Sequence, residues 1–380
     1  MAARRPVRTR GGVPVILSRL ARSGRSGPLL LATGLAAALA LPWLIYPPVA
    51  LDIACWALFA AAVDLLLGYT GLLSFGHAAF WGGSAYCTGL IALHTGMPFP
   101  LAILGGAAFA ALLAVPIGYL SVRLTGIYFA MVTLAFAQMV YFIANQWRDV
   151  TGGENGLQGI PRELFGLDLS EPFYFYYAGL PFVLAGLFAA WRIVRSPFGR
   201  VLVSIRDNPA RARALGYPVD RYRLLAFVLS AGLAGTAGGV FAIGHGFASL
   251  EGVYWTTSGQ AVMMVILGGI GTLWGGAIGA ALVVQLQDYL ATAGFQETGI
   301  VTGSIFIVIV LLFRRGIWGT ARHLLAARRP AAPGAAQAAG TATGTASSAA
   351  SRADLRAVSS KSGATHAKSV RPSEPPSPQA

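Results

Sequence analysis

Three acidic residues of this sequence fall inside long apolar runs: Asp52, Asp64 and Asp288. An ionised carboxylate in hydrocarbon is costly, so such a residue faces a cavity, a partner or an ion path. The three are the candidates for an ion- or proton-coupling site, and Asp64 is also a candidate for lining a translocation pathway. Ser74 and His77 stand beside a Gly-rich interruption, Gly68-Tyr69-Thr70-Gly71. A helix broken there would aim free N–H groups at an anionic ligand group; a tight turn between two spans is the competing reading. Gln138, Tyr141 and Asn145 recur at i, i+3 and i+7, which is one face of a helix. They can line a passage or bond between helices. Covalent chemistry has little support. The sequence lacks the phosphate loop G-x-x-x-x-G-K-[ST], and it lacks H-E-x-x-H, C-x-x-C and G-x-S-x-G. The five histidines are scattered, and Cys55 and Cys87 sit in apolar stretches without metal-ligand spacing. The expectation is a chain that is no enzyme and binds no cofactor or metal itself.

The elements that hold these residues follow from composition. Of 380 residues, 55% are hydrophobic and only 11% are charged, whereas soluble domains average about 25% charged. Too few groups remain to solvate a water-facing surface. Forty-eight glycines suit closely packed transmembrane helices. The formal charge of +14 could suggest nucleic acid. Lys361 and Lys368 are the only lysines, however, and the arginines cluster in short segments between apolar spans. That is the pattern of cytoplasmic loops on a membrane protein, with lipid and not nucleic acid as its surroundings.

A span needs about 20 apolar residues to cross about 30 Å of hydrocarbon. The candidates are 29–46, 49–67, 78–93, 101–122, 127–147, 173–191, 224–243 and 300–313, with 259–290 long enough for two segments meeting near Gly275-Gly276. The expected fold is an all-α polytopic membrane protein of about nine transmembrane segments, within a range of roughly eight to ten, with broken or re-entrant helices. Gly271, Gly275 and Gly279 recur every four residues, as do Ala231, Gly235 and Gly239, and that spacing lines a helix face with small side chains for close packing.

Arginine placement sets the expected orientation. Residues 1–27 carry Arg and no acid, and are read as a retained cytoplasmic lead-in; 192–223 is Arg-rich; 148–172 carries Asp149, Glu154, Glu163, Asp168 and Glu171 against Arg148 and Arg162. The Arg-rich segments belong inside and the acidic loop outside, with both termini cytoplasmic. The transmembrane body is placed at 28–315. Residues 316–380 are read as a low-complexity, disordered cytoplasmic tail, because composition shifts to Ala, Gly, Ser, Thr and Pro from 331 onward. Within 192–223 a short helix is fully specified. Asp207 or Asn208 can cap it, Pro209 suits its first position, Ala210, Ala212 and Ala214 favour it, and Gly216 can end it, with Arg206 just ahead.

That loop resembles the coupling loop of ABC importer permeases, with an Ala-x-x-x-Gly core here at Ala212 to Gly216. Gly68-Tyr-Thr-Gly-Leu-Leu-Ser-Phe-Gly-His-Ala-Ala-Phe80 resembles the signature of the branched-chain amino acid permease family. Arg123-Leu-Thr-Gly-Ile-Tyr-Phe-Ala-Met-Val-Thr-Leu-Ala-Phe-Ala137, Thr151-Gly-Gly-Glu-Asn-Gly-Leu157 and Val265-Ile-Leu-Gly-Gly-Ile-Gly-Thr-Leu273 are similar to its LivM side. The resemblance runs from about residue 50 to 315 and departs at Asp64, where the family often has Asn. It implies a bacterial inner-membrane subunit working with a second related permease, two cytosolic ATPases that use the ATP, and a periplasmic binding protein. Thr151, Gly152, Gly153 and Asn155 are the implied contact for that binding protein. Rival readings are a permease for urea or short-chain amides, an ion-coupled secondary transporter built on the three carboxylates, and a membrane scaffold. Single cysteines placed through 195–220 should react with an impermeant maleimide only after the cytoplasmic face is opened; labelling from outside would sink the orientation.

Overall fold

The computed structural model describes residues 27–164, 167–293, 298–312 and 316–320; the calls on 1–26 and on 321–380 lie outside them. Among the described residues, ten helices of 14 residues or more carry the fold. They are α1 (Gly27–Leu44), α2 (Pro47–Thr70), α3 (His77–Thr95), α4 (Phe99–Ser121), α5 (Ile127–Gln146), α7 (Pro172–Arg195), α10 (Val219–His245), α11 (Trp255–Gly268), α12 (Leu273–Thr292) and α13 (Thr298–Leu312). The shorter α6 (Arg148–Thr151) follows α5, and α8 (Pro197–Asp207) and α9 (Pro209–Ala214) lie between α7 and α10. Two small antiparallel ladders complete it: β1 (Leu157–Gln158) with β4 (Phe247–Ala248), and β2 (Glu163–Leu164) with β3 (Leu167–Asp168). The all-α membrane fold expected from composition is the one observed.

Backbone chemistry sets the ends. Prolines at the first or second position open α2, α4, α7, α8 and α9, where the missing N–H costs no bond. Gly71, Gly96 and Gly246 close α2, α3 and α10 in the left-handed region.

Among the described residues, five helices are long and apolar enough to cross a membrane alone: α2, α4, α5, α7 and α10. Of these α2 is the axis. Its most apolar stretch is 83% buried inside the protein, against 28% for α5 and α7, so α2 faces protein while α5 and α7 expose most of their apolar surface. Lipid tails are as apolar as leucine, so helices associate in a bilayer by packing, and small residues set how closely they approach. Gly186 of α7 makes room for Leu58, and Gly276 of α12 lies against Ala60. On α10, Gly235 faces Ala110 and Ser84, Gly239 faces Thr88 and Ile103, and Gly238 lies on the Trp81 backbone. The Ala231, Gly235 and Gly239 face is therefore a packing seam for α3 and α4.

Region 259–290 is a helical hairpin. α11 and α12 bend by 114° at residues 269–272, with Gly269 at φ 119° and Gly271 at φ 75°. They fold back on each other: Gly268 lies against the Gly275 backbone, Gly279 against the Met264 carbonyl, and Gln260 Nε2 donates to Gln287 Oε1 at 2.9 Å. The expected meeting point at Gly275-Gly276 is corrected to 269–272, because those residues can turn the chain while 275 and 276 are helical. Gly271 accordingly leaves the face that Gly275 and Gly279 share. Against the about nine segments expected, helix length and composition support five crossings among the described residues, or six with the bent pair as one span. α13 is followed by Gly316, which sits on the Gly269 backbone at the hairpin turn. Residues 316–320 are helical.

The bundle thus has two ends. One gathers the end of α2, the hairpin turn, Gly316, α8 and α9; the other gathers the start of α2, the end of α10, and the β1–β4 ladder. Gly279→Val should cost about 1–3 kcal/mol, because its side chain would overlap the Met264 carbonyl. Gly303→Ala, whose side chain would meet nothing within 4 Å, should be neutral, and thermal unfolding in detergent checks both.

Candidate functional site

The Arg-rich segment folds as two capped helices, not one. Ser196 Oγ accepts from Gly199 N at 3.3 Å and starts α8, which the sequence reading did not anticipate. Asn208 Oδ1 accepts from Arg211 N at 2.9 Å and starts α9. Of the two expected caps, Asn208 serves and Asp207 does not: Asp207 ends α8 and pairs with Arg206 at 3.2 Å. α9 stops in a paired-bond cap, with Tyr217 N on Ala212 O at 3.2 Å and Gly216 N on Arg213 O at 2.9 Å. Gly216 takes φ 88°, which a side chain would strain. Ala212 is fully buried between Ile205 and Val219. These two constraints explain the Ala-x-x-x-Gly core. Ala210, Arg211, Arg213, Ala214 and Gly216 are exposed, with Leu215 67% and Tyr217 39% accessible. The exposed face of α9 carries Arg211 and Arg213, and Leu215 stands bare just past its end.

This arm meets the bundle through packing as well as through Arg206: Leu202 is buried in the main core and Phe198 stacks on Tyr222 of α10 at 5.5 Å between ring centroids. Arg206 Nη1 donates to Gly68 O on α2, and its aliphatic stem lies over Gly71. Asp64, one turn earlier, is fully buried, and its Oδ1 accepts from Gly271 N in the hairpin turn at 2.7 Å. Tyr69 OH donates to Gly271 O at 3.1 Å. Gly68 has no room for a side chain, because one would overlap Asp64 Oδ1 and the Gly271 backbone. Asp64 therefore joins two elements and does not reach out to the membrane interface. Sequence reasoning singled out Asp64, Arg206 and Gly271 separately and missed that they meet. Their separation in the chain is the reason, and the Gly-rich stretch 268–271 is the one signal that marked the turn.

The interruption after α2 runs from Gly71 to Gly76, and its polar backbone is paired within the protein. Phe75 N donates to Thr133 Oγ1 at 3.3 Å, Gly76 N to Ser74 Oγ at 3.1 Å, and Ala78 N to Ser258 Oγ at 2.7 Å. Non-helical backbone at membrane depth requires such partners. Ser230 Oγ donates to the Ala62 carbonyl, so His77 Nε2 carries the proton and donates to Ser230 Oγ at 2.7 Å. Ser74 and His77 are buried; His77 holds α2, α3 and α10 together through Ser230, while Ser74 bonds Gly76 N within its own loop. Gln138, Tyr141 and Asn145 are half-buried on α5, and Tyr141 packs on Tyr254 at 5.1 Å between ring centroids.

At the opposite end, Leu157 and Gln158 pair with Ala248 and Phe247, so the acidic loop is anchored to the segment after α10. Arg162 Nε reinforces this on Ile243 O at 3.1 Å. Asn155, Gln158, Gly159, Gly246, Phe247 and Ser249 line an open depression of about 480 Å³ there. Gly152 and Gly153 turn the chain at φ 76° and 59°. Thr151 is buried and donates to Trp147 O at 2.9 Å, so it caps α5 and cannot meet a partner, unlike Asn155. Asp52 bonds His245 at 2.6 Å at this same end, while Asp64 lies 12 residues along the same helix, about 18 Å away. Asp52 and Asp64, two of the three carboxylates proposed for ion coupling, do not converge. No group of three or more His, Cys, Asp and Glu able to hold a metal occurs among the described residues.

Comparison with known proteins adds to this geometry. The family described as "Branched-chain amino acid transport system / permease component" matches residues 47–313. The high-affinity branched-chain amino acid transport system permease protein LivM of Escherichia coli strain K12 is 29% identical over 308 residues, covering 73% of this chain and 71% of that protein. LivM of Salmonella typhimurium matches to the same extent, at 29% over 308 residues. The autoinducer 2 import system permease protein LsrC of Klebsiella pneumoniae is 34% identical over 191 residues, covering 47% of this chain and 54% of that protein. No solved structure matches. Ser230→Ala should leave the buried His77 Nε2 unpaired and cost about 1–3 kcal/mol, measured as a lower unfolding temperature in detergent; no change would remove the clasp from the account.

Proposed function

The chain belongs to the family of branched-chain amino acid transport system permease components, a membrane-transport subunit and not an enzyme, and on that premise we propose that it forms part of the translocation pathway of an ABC importer for branched-chain amino acids. It works in the bacterial plasma membrane. The observation that carries the reading is the α8–α9 arm, capped at both ends, exposed on its outer face, and fastened to the central helix through Arg206. An arm of this kind can seat in a groove on a cytosolic ATPase and pass the motion of ATP binding to the bundle, a two-state element biased by a ligand. The Arg-rich end faces the cytoplasm, with both termini there.

A second, related permease completes the pathway, two ATPase subunits supply ATP hydrolysis, and an extracytoplasmic binding protein delivers substrate at the β1–β4 end. Asn155 and the turn at Gly152 and Gly153 belong to that delivery face. Half-buried Gln138, Tyr141 and Asn145 on α5 are the pathway candidates that this conformation leaves nearest a surface. Branched-chain amino acids are the substrate favoured by the LivM likeness; urea and short-chain amides are the rivals within the permease reading. An ion-coupled secondary transporter is disfavoured by carboxylates that sit at opposite ends of α2.

Deletion of 207–216, or Gly216→Pro, should abolish co-purification with the ATPase while membrane insertion stays intact. Normal co-purification would defeat the assignment of the arm. Uptake of labelled leucine by the whole complex should require ATP and persist when ion gradients are collapsed; competition by urea in place of isoleucine would redirect the substrate.

A further inference from the structure

Asp64 and Arg206 lie on either side of Gly68 without bonding to each other. Arg206 uses Nη1 on Gly68 O and its other donors on Asp207 Oδ1. Asp64 uses Oδ1 on Gly271 N, while its Oδ2 is buried and has no partner. A buried acceptor left unpaired is costly, and here the nearby guanidinium could satisfy it with a charge-assisted bond. The partner Arg206 holds instead is easily exchanged. The Arg206 and Asp207 side chains are 35% and 62% exposed, and such surface pairs contribute little. The Arg206 stem already crosses the end of α2 over Gly71, so a pivot of the side chain is enough to change partners.

We propose that Asp64 and Arg206 are positioning residues for transport, an ionic link that re-pairs when the arm moves. In the conformation described, Arg206 grips Asp207 and Gly68. When the arm is driven toward the bundle, the guanidinium takes Asp64 Oδ2. The other oxygen of the same carboxylate holds the hairpin turn, and Tyr69 holds Gly271 from the α2 side. Displacement of α8 is thereby passed to α11 and α12 through one side chain. This rests on the reading that α8 and α9 receive the ATPase.

Asn at position 64 separates this from a purely structural tie. An amide oxygen accepts from Gly271 N as the carboxylate does, but it supplies no charge for Arg206. The test is ATP-driven uptake and ATP hydrolysis measured together in proteoliposomes holding the full complex, for wild type, Asp64→Asn, Arg206→Gln and the double variant. Asp64→Asn should insert and co-purify normally, yet move about tenfold less substrate per ATP. Arg206→Gln should show the same loss, and the double variant should be no worse than either single one. A wild-type ratio in Asp64→Asn, or losses that multiply in the double variant, would overturn the link. Should Asp64→Asn fail to assemble, Arg206→Gln alone still decides, since an unchanged ratio there removes the link. A wild-type complex that hydrolyses ATP without moving substrate would instead overturn the importer reading itself.

Discussion

A peptide group inside hydrocarbon has no water to bond, and the rest of this structure depends on meeting that requirement. Ten long helices satisfy it internally. Two places do not: the extended stretch from Gly71 to Gly76 and the hairpin turn at 269–272. At the first, the side chains of Thr133, Ser74 and Ser258 take the free N–H groups. At the second, Asp64 and Tyr69 take the N–H and carbonyl of Gly271. Asp64, Tyr69, Ser74, Thr133 and Ser258 are thereby accounted for, because each pairs with backbone at or beside a break.

Close approach is the second constraint. Backbone repair works only where helices come near enough for short side chains to reach, and glycine and alanine permit that. Gly68 lets the hairpin turn reach Asp64, Gly238 lets α10 lie on the α3 backbone, and Gly268 with Gly275 closes the hairpin. The same small residues leave α2 surrounded by protein, while α5 and α7 stay mostly exposed. The proposed function draws on this arrangement. A central helix that touches the hairpin and the basic arm is placed to carry motion between them.

The basic arm was legible because capping is local chemistry. Asn208, Pro209, Ala212 and Gly216 act within one turn of each other, so their types and spacing specify α9 without reference to anything distant. The split of the segment into α8 and α9 was less legible, since Asp207 and Asn208 are both good caps and only packing of Ile205, Ala212 and Val219 chooses between them. His77 shows the opposite limit. Its type and its place beside a break suggested a ligand site, but its partner Ser230 lies 153 residues away.

Composition, helix periodicity and prolines determined by themselves a polytopic helical membrane protein, most helix starts, and the capped helix α9, because each of these is settled by neighbours in the chain. Tertiary structure decided that 259–290 folds back on itself, that Thr151 is a buried cap, and that Asp64, Gly68, Arg206 and Gly271 form one junction. Those outcomes turn on contacts between residues far apart in the chain, and a hydrogen bond formed across such a separation leaves no pattern at either of its ends.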